Sequence, residues 1–400
     1  MTMRLQGYPN PGEGLRLHLN ENTGGCSPRV LEAIRNIGAN AVSTYPEYSE
    51  IVRACARHFD VDPEWVLLTN GLDEGLLMAA VAHIARVRAH DAETIVPLPA
   101  FDPYPNATAA VGATAILVPP GKDYAFPTEA VIAAITPRTR MIFLNTPNNP
   151  TGQLIPIADL ERIAAAAPDA VVFIDEAYIE FGGTSFLPQL PRFDNVLIGR
   201  TFSKAYGLAG MRVGIVIGQP RMLDPVREVT LPFNINGVAR AAVAAALTDA
   251  GFLPRYAAQV TKSRERLYAA CERLGLPYWK SAANFVLVRV GDSAPVVRAM
   301  AERKVHVRDR SKDPTTAGCI RVTAGIREHT DAAIEALESV MAARQTYWRR
   351  PARQHSIVAP PKRRSRAGSR STARGDMTSP PASVSSITCW SSSRATADSI

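Results

Sequence analysis

The chain has 400 residues, 46% of them hydrophobic, enough apolar side chain for a large core and more than one folded unit. No apolar run is long enough to span a bilayer, so no membrane partner is expected. The formal charge of +8 is confined to the end of the chain. Ten of the 45 Lys/Arg and two of the 37 Asp/Glu lie from Arg349 onward, leaving 35 of each sign before it, so no nucleic-acid partner is expected for the folded body.

Residues 1–27, rich in Gly, Pro and Asn, read as an extended N-terminal arm without a secretory signal. Residues 28–238 alternate short apolar runs with Ala-rich helical stretches. Seven runs read as buried strands: Val66–Leu68, Ile95–Val96, Ala115–Val118, Met141–Leu144, Val171–Ile174, Val196–Ile198 and Val213–Ile217. Their β-branched content and lack of polar alternation predict an α/β fold with a mostly parallel seven-stranded sheet, covered by helices on both faces. Residues 239–346 read as a smaller α+β C-terminal domain. It opens on helices over Ala239–Leu247 and Leu253–Leu274, carries strands at Asn284–Val288 and Cys319–Thr323, and closes on a helix over Asp331–Ala343. Residues 347–400 are basic and rich in Ser, Arg and Pro, and are expected to be disordered. The five cysteines are scattered singly, with no CxxC pair, so no metal site or disulfide framework is indicated and a reducing, cytoplasmic setting fits.

Polar residues follow the carboxyl ends of these strands. Thr69 runs into Asn70-Gly71-Leu72-Asp73-Glu74, and Pro97-Leu98 into Pro99-Ala100-Phe101. Leu144 runs into Asn145-Thr146-Pro147-Asn148-Asn149-Pro150-Thr151-Gly152, Ile174 into Asp175-Glu176-Ala177-Tyr178, and Gly199 into Arg200-Thr201-Phe202-Ser203-Lys204. Ligands of open α/β sheets bind beyond those ends, so one polar site is expected there.

With Leu19-Asn20-Glu21-Asn22, Tyr45-Pro46-Glu47 and the run from Thr201 through Ser203-Lys204-Ala205-Tyr206-Gly207 to Arg212, these motifs resemble the fold-type I pyridoxal-phosphate aminotransferases over roughly residues 16–345. Among them the histidinol-phosphate aminotransferases are the most similar group. The resemblance implies pyridoxal 5′-phosphate as cofactor and Lys204 as its covalent lysine. Burial beside the cofactor is what would turn that amine into a nucleophile and then a base. It implies that Asp175 pairs with the pyridine nitrogen, where an unpartnered buried carboxylate would otherwise be costly. Tyr178 and Asn149 would hydrogen-bond the ring 3′ oxygen, although Asn149 also suits a simple turn. Phe101 would stack on the ring, unless it is only a core residue. Gly71, Leu72 and Asp73 would offer a helix N-terminus to the phosphate, with Thr201, Ser203 and Arg212 completing the cradle. The family has a small residue where Leu72 stands. Tyr45 would reach the phosphate from a neighbouring subunit, implying a homodimer; a surface Tyr-Pro turn is the alternative.

For the substrate, the resemblance assigns anion binding to Arg321 and Arg308, with Asn22 and Tyr8 from the arm. A surface ion pair between Arg308 and Asp309 is the alternative for Arg308. The implied reaction is L-histidinol phosphate with 2-oxoglutarate to imidazole-acetol phosphate and L-glutamate, a step of histidine biosynthesis. The alternatives are an aromatic or other amino-acid aminotransferase, or a threonine-phosphate decarboxylase. The arm departs from the family pattern at Thr23-Gly24-Gly25-Cys26-Ser27, where Pro-x-Gly-Pro-Ser is usual. The tail residues Ser385-Ser386-Ile387-Thr388-Cys389-Trp390 permit, one nucleotide out of frame, Phe-Phe-Asp-His-Met-Leu, which resembles the metal-binding segment of imidazoleglycerol-phosphate dehydratase. The tail is therefore a candidate frameshift product, which sequencing of the DNA decides.

Overall fold

A computed structural model describes residues 11–85 and 91–349; Tyr8 and the tail beyond residue 349 lie outside the described residues. Thirteen strands appear among them: β1 (Leu15–Arg16), β2 (Val66–Thr69), β3 (Glu93–Pro97), β4 (Thr114–Val118), β5 (Thr139–Asn145), β6 (Val171–Asp175), β7 (Val196–Thr201), β8 (Gly214–Gly218), β9 (Tyr278–Trp279), β10 (Phe285–Arg289), β11 (Val305–His306), β12 (Arg308–Asp309) and β13 (Cys319–Thr323).

All seven runs expected as buried strands form one sheet, in the order β2-β8-β7-β6-β5-β3-β4. Every pairing is parallel except those of β8, which runs against β2 and β7. The unbroken apolar runs have a simple cause. Along β6, Val171 and Phe173 enter one core while Val172 and Ile174 enter the other. The same split holds for Met141 and Phe143 against Ile142 and Leu144 on β5. Both faces are dry, so both sets of alternate positions along these two runs are apolar. Helices Leu72–His83 and Pro220–Val229 cover the first face; Ser49–Phe59, Ile157–Ala166 and Gly237–Leu247 cover the second.

A second, antiparallel sheet has the order β12-β13-β10-β9. The long helix Phe252–Leu274 packs on β10, and the helix Arg327–Arg349 packs on that helix. The helix Gly237–Leu247, assigned from sequence to the smaller unit, packs instead with Val30, Ile51 and Cys55 beside the large sheet. We therefore place the start of the smaller unit at the long helix that follows. The N-terminal arm is pinned to this second unit: β1 pairs in parallel with β11, and Thr323 N–H donates to Leu17 O at 3.1 Å. Among the described residues no helix is long and apolar enough to cross a membrane, and no cluster of His, Cys, Asp and Glu could hold a metal ion.

The topology explains where polar groups gather. β2, β3, β5, β6 and β7 run the same way and end at one edge, while β8 begins there, with Gly214 level with both Thr69 and Thr201. The segments after each strand, and Arg212 just before β8, therefore share one crevice.

Candidate active site

That crevice holds a cavity of about 500 Å³. It opens into a cleft of about 1430 Å³ beneath the arm and the second sheet. Lys204 lines both chambers, and its Nζ donates to Leu19 O at 2.9 Å. The same amine sits 5.9 Å from the ring centroid of Tyr178.

Asp175 ends β6 as a fully buried carboxylate. Its Oδ2 accepts from Tyr104 Oη at 2.6 Å and its Oδ1 from Ala177 N–H at 2.9 Å. Among the described residues no Lys or Arg forms an ion pair with it. Burial pushes its carboxyl up to about 6, and the two donated hydrogen bonds only partly oppose this. Such a group is suited to a cation brought in by a ligand. Glu176, the next residue, faces the other way along the strand end and is bound in a buried cluster with Arg200, 3.0 Å away.

At the opposite wall, Gly71 (φ +76°) ends the turn that starts helix Leu72–His83. A Cβ on Gly71 would stand 2.5 Å from Arg212 Nη2, so only glycine lets the guanidinium come this close. Arg212 reaches Ser203 Oγ at 3.4 Å and Asp73 Oδ2 at 3.5 Å. Thr201 Oγ1 accepts from Ser203 N–H at 3.1 Å, which shapes that loop. A helix N-terminus, a guanidinium and a hydroxyl form an anion cradle. The Leu72 side chain is buried against Gly199 on β7, so only its backbone N–H is available to that cradle. Phe101 lines both chambers and meets Tyr104 edge-on at 5.8 Å. The cavity thus fits a flat ring that carries a cationic nitrogen at one end and a phosphate at the other, as pyridoxal phosphate does.

The structure redistributes several expected roles. Tyr178 Oη accepts from Asn20 Nδ2 at 3.0 Å, and Asn20 is itself fully buried with φ +57°, a conformation asparagine tolerates. Asn149 lines the cavity, but its Oδ1 accepts from Arg321 Nη1. Arg321 also donates to His18 O at 2.7 Å. Asn22, expected at the substrate, is not brought there. Its Nδ2 donates to Ala205 O at 2.9 Å and its Oδ1 accepts from Gly24 N–H at 2.9 Å, so it braces the arm against the lysine loop. Arg308 does not pair with Asp309, whose Oδ1 accepts from Ser293 Oγ and Ser311 N–H. Its guanidinium lies 3.8 Å from Asp102 instead. Tyr45 lines neither chamber; it is 79% exposed and stacks on Phe233, with centroids 4.4 Å apart.

Four site residues escaped the sequence reading: Tyr104, Asn20, Arg310 and His18. Tyr104 carried a readable signal, since it lies in the first turn of the helix Pro103–Ala110 just beyond the β3 strand end. His18 lines the cleft, and burial, followed by Arg16, His306, Arg308 and Arg321, lowers its imidazole to about 4. It is therefore neutral at physiological pH.

The family model for aminotransferase class I and II matches residues 13–337. A histidinol-phosphate aminotransferase of Ralstonia nicotianae is 38% identical over 339 residues, covering 82% of this chain and 89% of that protein. An aromatic amino acid aminotransferase of Rhodococcus opacus is 36% identical over 339 residues, covering 83% and 91%. Among solved structures, histidinol-phosphate aminotransferase from Sinorhizobium meliloti in complex with pyridoxal-5′-phosphate is similar with a TM-score of 0.73 at 28% identity, covering 83% of this chain and 91% of that one.

Proposed function

The chain belongs to the aminotransferase class I and II family, and from that membership we propose that it uses pyridoxal 5′-phosphate to move an amino group between L-histidinol phosphate and 2-oxoglutarate. One observation carries the substrate reading: Arg308 and Arg321 stand directly opposite each other across the β12–β13 ladder. Both line the cleft above Lys204. Like charges placed directly opposite destabilise a sheet, unless an anion lies between them. A phosphate, with three oxygens, accepts from two forked guanidiniums at once.

When bound, the cofactor supplies the electron sink for the carbanion at the substrate Cα and carries the amino group between half-reactions. The residues of this chain then have distinct tasks. Asp175, held by Tyr104 and the Ala177 N–H, presents a carboxylate to the ring nitrogen. Arg212, Ser203 and the start of helix Leu72–His83 would hold the phosphate. Phe101 would stack on the ring face, and Tyr178, which accepts from Asn20, would hydrogen-bond its oxygen. Lys204 Nζ, once free, takes and returns the proton at the substrate Cα. Arg308 and Arg321 orient the substrate by its anionic end, so the same pair serves the phosphate of one substrate and a carboxylate of the other.

A substrate panel tests this reading. Glutamate production from histidinol phosphate and 2-oxoglutarate should exceed turnover of phenylalanine by about 10⁴-fold in kcat/KM, the scale set by leaving buried polar groups unpaired. Comparable or faster turnover of phenylalanine, or carbon dioxide release from threonine phosphate, would replace the substrate assignment with that activity.

A homodimer belongs to the same proposal. Tyr45 stacks on Phe233, and both are exposed, as are Val42 and Leu231 close to them in the chain. If Tyr45 completes a neighbour's site, Tyr45→Ala and Lys204→Ala proteins, each weak or inactive alone, will regain activity when unfolded together and refolded. A mixture no more active than the sum of its parts would sink the shared site. The described cysteines Cys26, Cys55, Cys271 and Cys319 are all free thiols, in line with a cytoplasmic setting.

A further inference from the structure

Arg310 has no part in the family resemblance, yet it faces the same cleft as Arg308 and Arg321. It follows β12 by one residue, and its N–H donates to Cys319 O at 3.0 Å, so the ladder continues through it. Its side chain therefore leaves the strand on the face used by Arg308. It is only 8% exposed. Its guanidinium is poorly matched: Nη2 lies 3.4 Å from Ala100 O, Nη1 lies 3.9 Å from Asp102 Oδ1, and Nε has no hydrogen-bond partner among the described residues. Asp102 Oδ2 lies 3.8 Å from Arg308 Nη2. One carboxylate thus spans two guanidiniums at distances beyond the roughly 2.7–2.9 Å of a charge-assisted hydrogen bond.

We propose that Asp102 is an internal counter-anion for Arg308 and Arg310 that an incoming dianion displaces, and that Arg310 sets the preference for a doubly charged substrate head over a single carboxylate. The charge balance favours this. Arg308, Arg310 and Arg321 all line this cleft, and Asp102 is the carboxylate that lies within 4 Å of the first two; Arg16 is paired with Glu21 at 2.8 Å. The under-matched guanidinium of Arg310 therefore adds positive charge to the head-group region. A phosphate dianion brings two charges and three acceptor oxygens to that cluster, where a carboxylate brings one charge and two oxygens. Displacement is easy, because the Asp102 side chain is already 54% exposed and precedes the N-terminal turn of helix Pro103–Ala110, where negative charge is favoured.

The inference rests on the phosphate-substrate reading only for its natural ligand; the cluster itself is tested with inorganic phosphate. The cofactor-loaded enzyme is used, so that the cradle at Arg212 is filled, and phosphate affinity is read by titration calorimetry. Asp102→Asn should tighten phosphate binding about fivefold, by removing the internal competitor. Arg310→Met should weaken it about tenfold, the equivalent of about 1.4 kcal/mol. Arg310→Met should also narrow the kcat/KM ratio between phosphate-bearing and phosphate-free donors. Phosphate affinity unchanged or weaker in Asp102→Asn overturns the counter-anion role, and this arm decides even if Arg310→Met melts early. Unchanged affinity in a folded Arg310→Met overturns the specificity role. If both affinities shift as stated while histidinol phosphate is not turned over, the substrate reading falls and the Asp102–arginine inference stands.

Discussion

Lys204→Ala is expected to lower transamination on the order of 10⁴-fold, the upper range for loss of a positioned proton-transfer group. The magnitude follows from position. Among the described residues Lys204 is the one lysine that lines either chamber, so no second amine can take over. Its Nζ is aimed across the cavity by the Leu19 carbonyl and lies beside Tyr178. The Arg212–Ser203–Gly71 cradle and Asp175 do not depend on the lysine, so the variant should still bind pyridoxal phosphate. What it should lose is covalent attachment. After borohydride reduction the wild-type protein gains the mass of one cofactor, and Lys204→Ala does not. Activity within about a hundredfold of wild type, or a cofactor adduct on the variant, would show that another group does this work.

Asp175→Asn should lower kcat on the order of 10²–10³-fold, as removal of one preorganised electrostatic partner does elsewhere. The substitution keeps the shape: the amide oxygen still accepts from Ala177 N–H, while its NH2 faces Tyr104 Oη, whose hydroxyl then turns to accept. It removes the charge that would hold the ring nitrogen protonated. A second signature separates this role from a structural one. In the cofactor-free protein the Asp175 carboxyl stands near 6, above its usual 3.8, because burial disfavours its ionised form. The folded state then holds a proton that the unfolded chain has released between those two values. Stability from this group is present below about 3.8 and is lost as pH rises through about 6. Cofactor-free wild-type protein should therefore lose melting temperature between pH 5 and pH 7 relative to Asp175→Asn. Pyridoxal phosphate should remove that difference by supplying a cation. Parallel melting curves for the two cofactor-free proteins at both pH values would place Asp175 in a solvated setting and undo the argument.

Much of this was legible in the amino-acid order because the information is local. Seven unbroken apolar runs specify seven strands doubly covered by helices. The residues immediately after them, Gly71, Phe101, Asn149, Asp175 and Lys204, reach one edge because parallel strands end together. The contiguous motif around Lys204 carried the family resemblance by itself.

Tertiary structure decided what depends on register and on the far side of the chain. That Arg308 stands opposite Arg321 is a property of the β12–β13 pairing, and a slip of one residue would turn one of them away. Arg310 becomes a cleft residue through that same register. Asn20 and Asn22 are two residues apart in one motif, yet one orients Tyr178 and the other braces the lysine loop at Ala205. Which asparagine does which is fixed by β1 docking on β11, a contact between residues nearly 300 positions apart that no local pattern encodes. Tyr104 was visible as an aromatic past a strand end. Only the packing of its ring on Phe143, at 5.0 Å, aims its hydroxyl at Asp175. The sequence alone determined the sheet and the cofactor side of the site, where each side chain follows its own strand. The substrate side is built where the arm and the second sheet meet the large one, so its side-chain directions depend on non-local pairing.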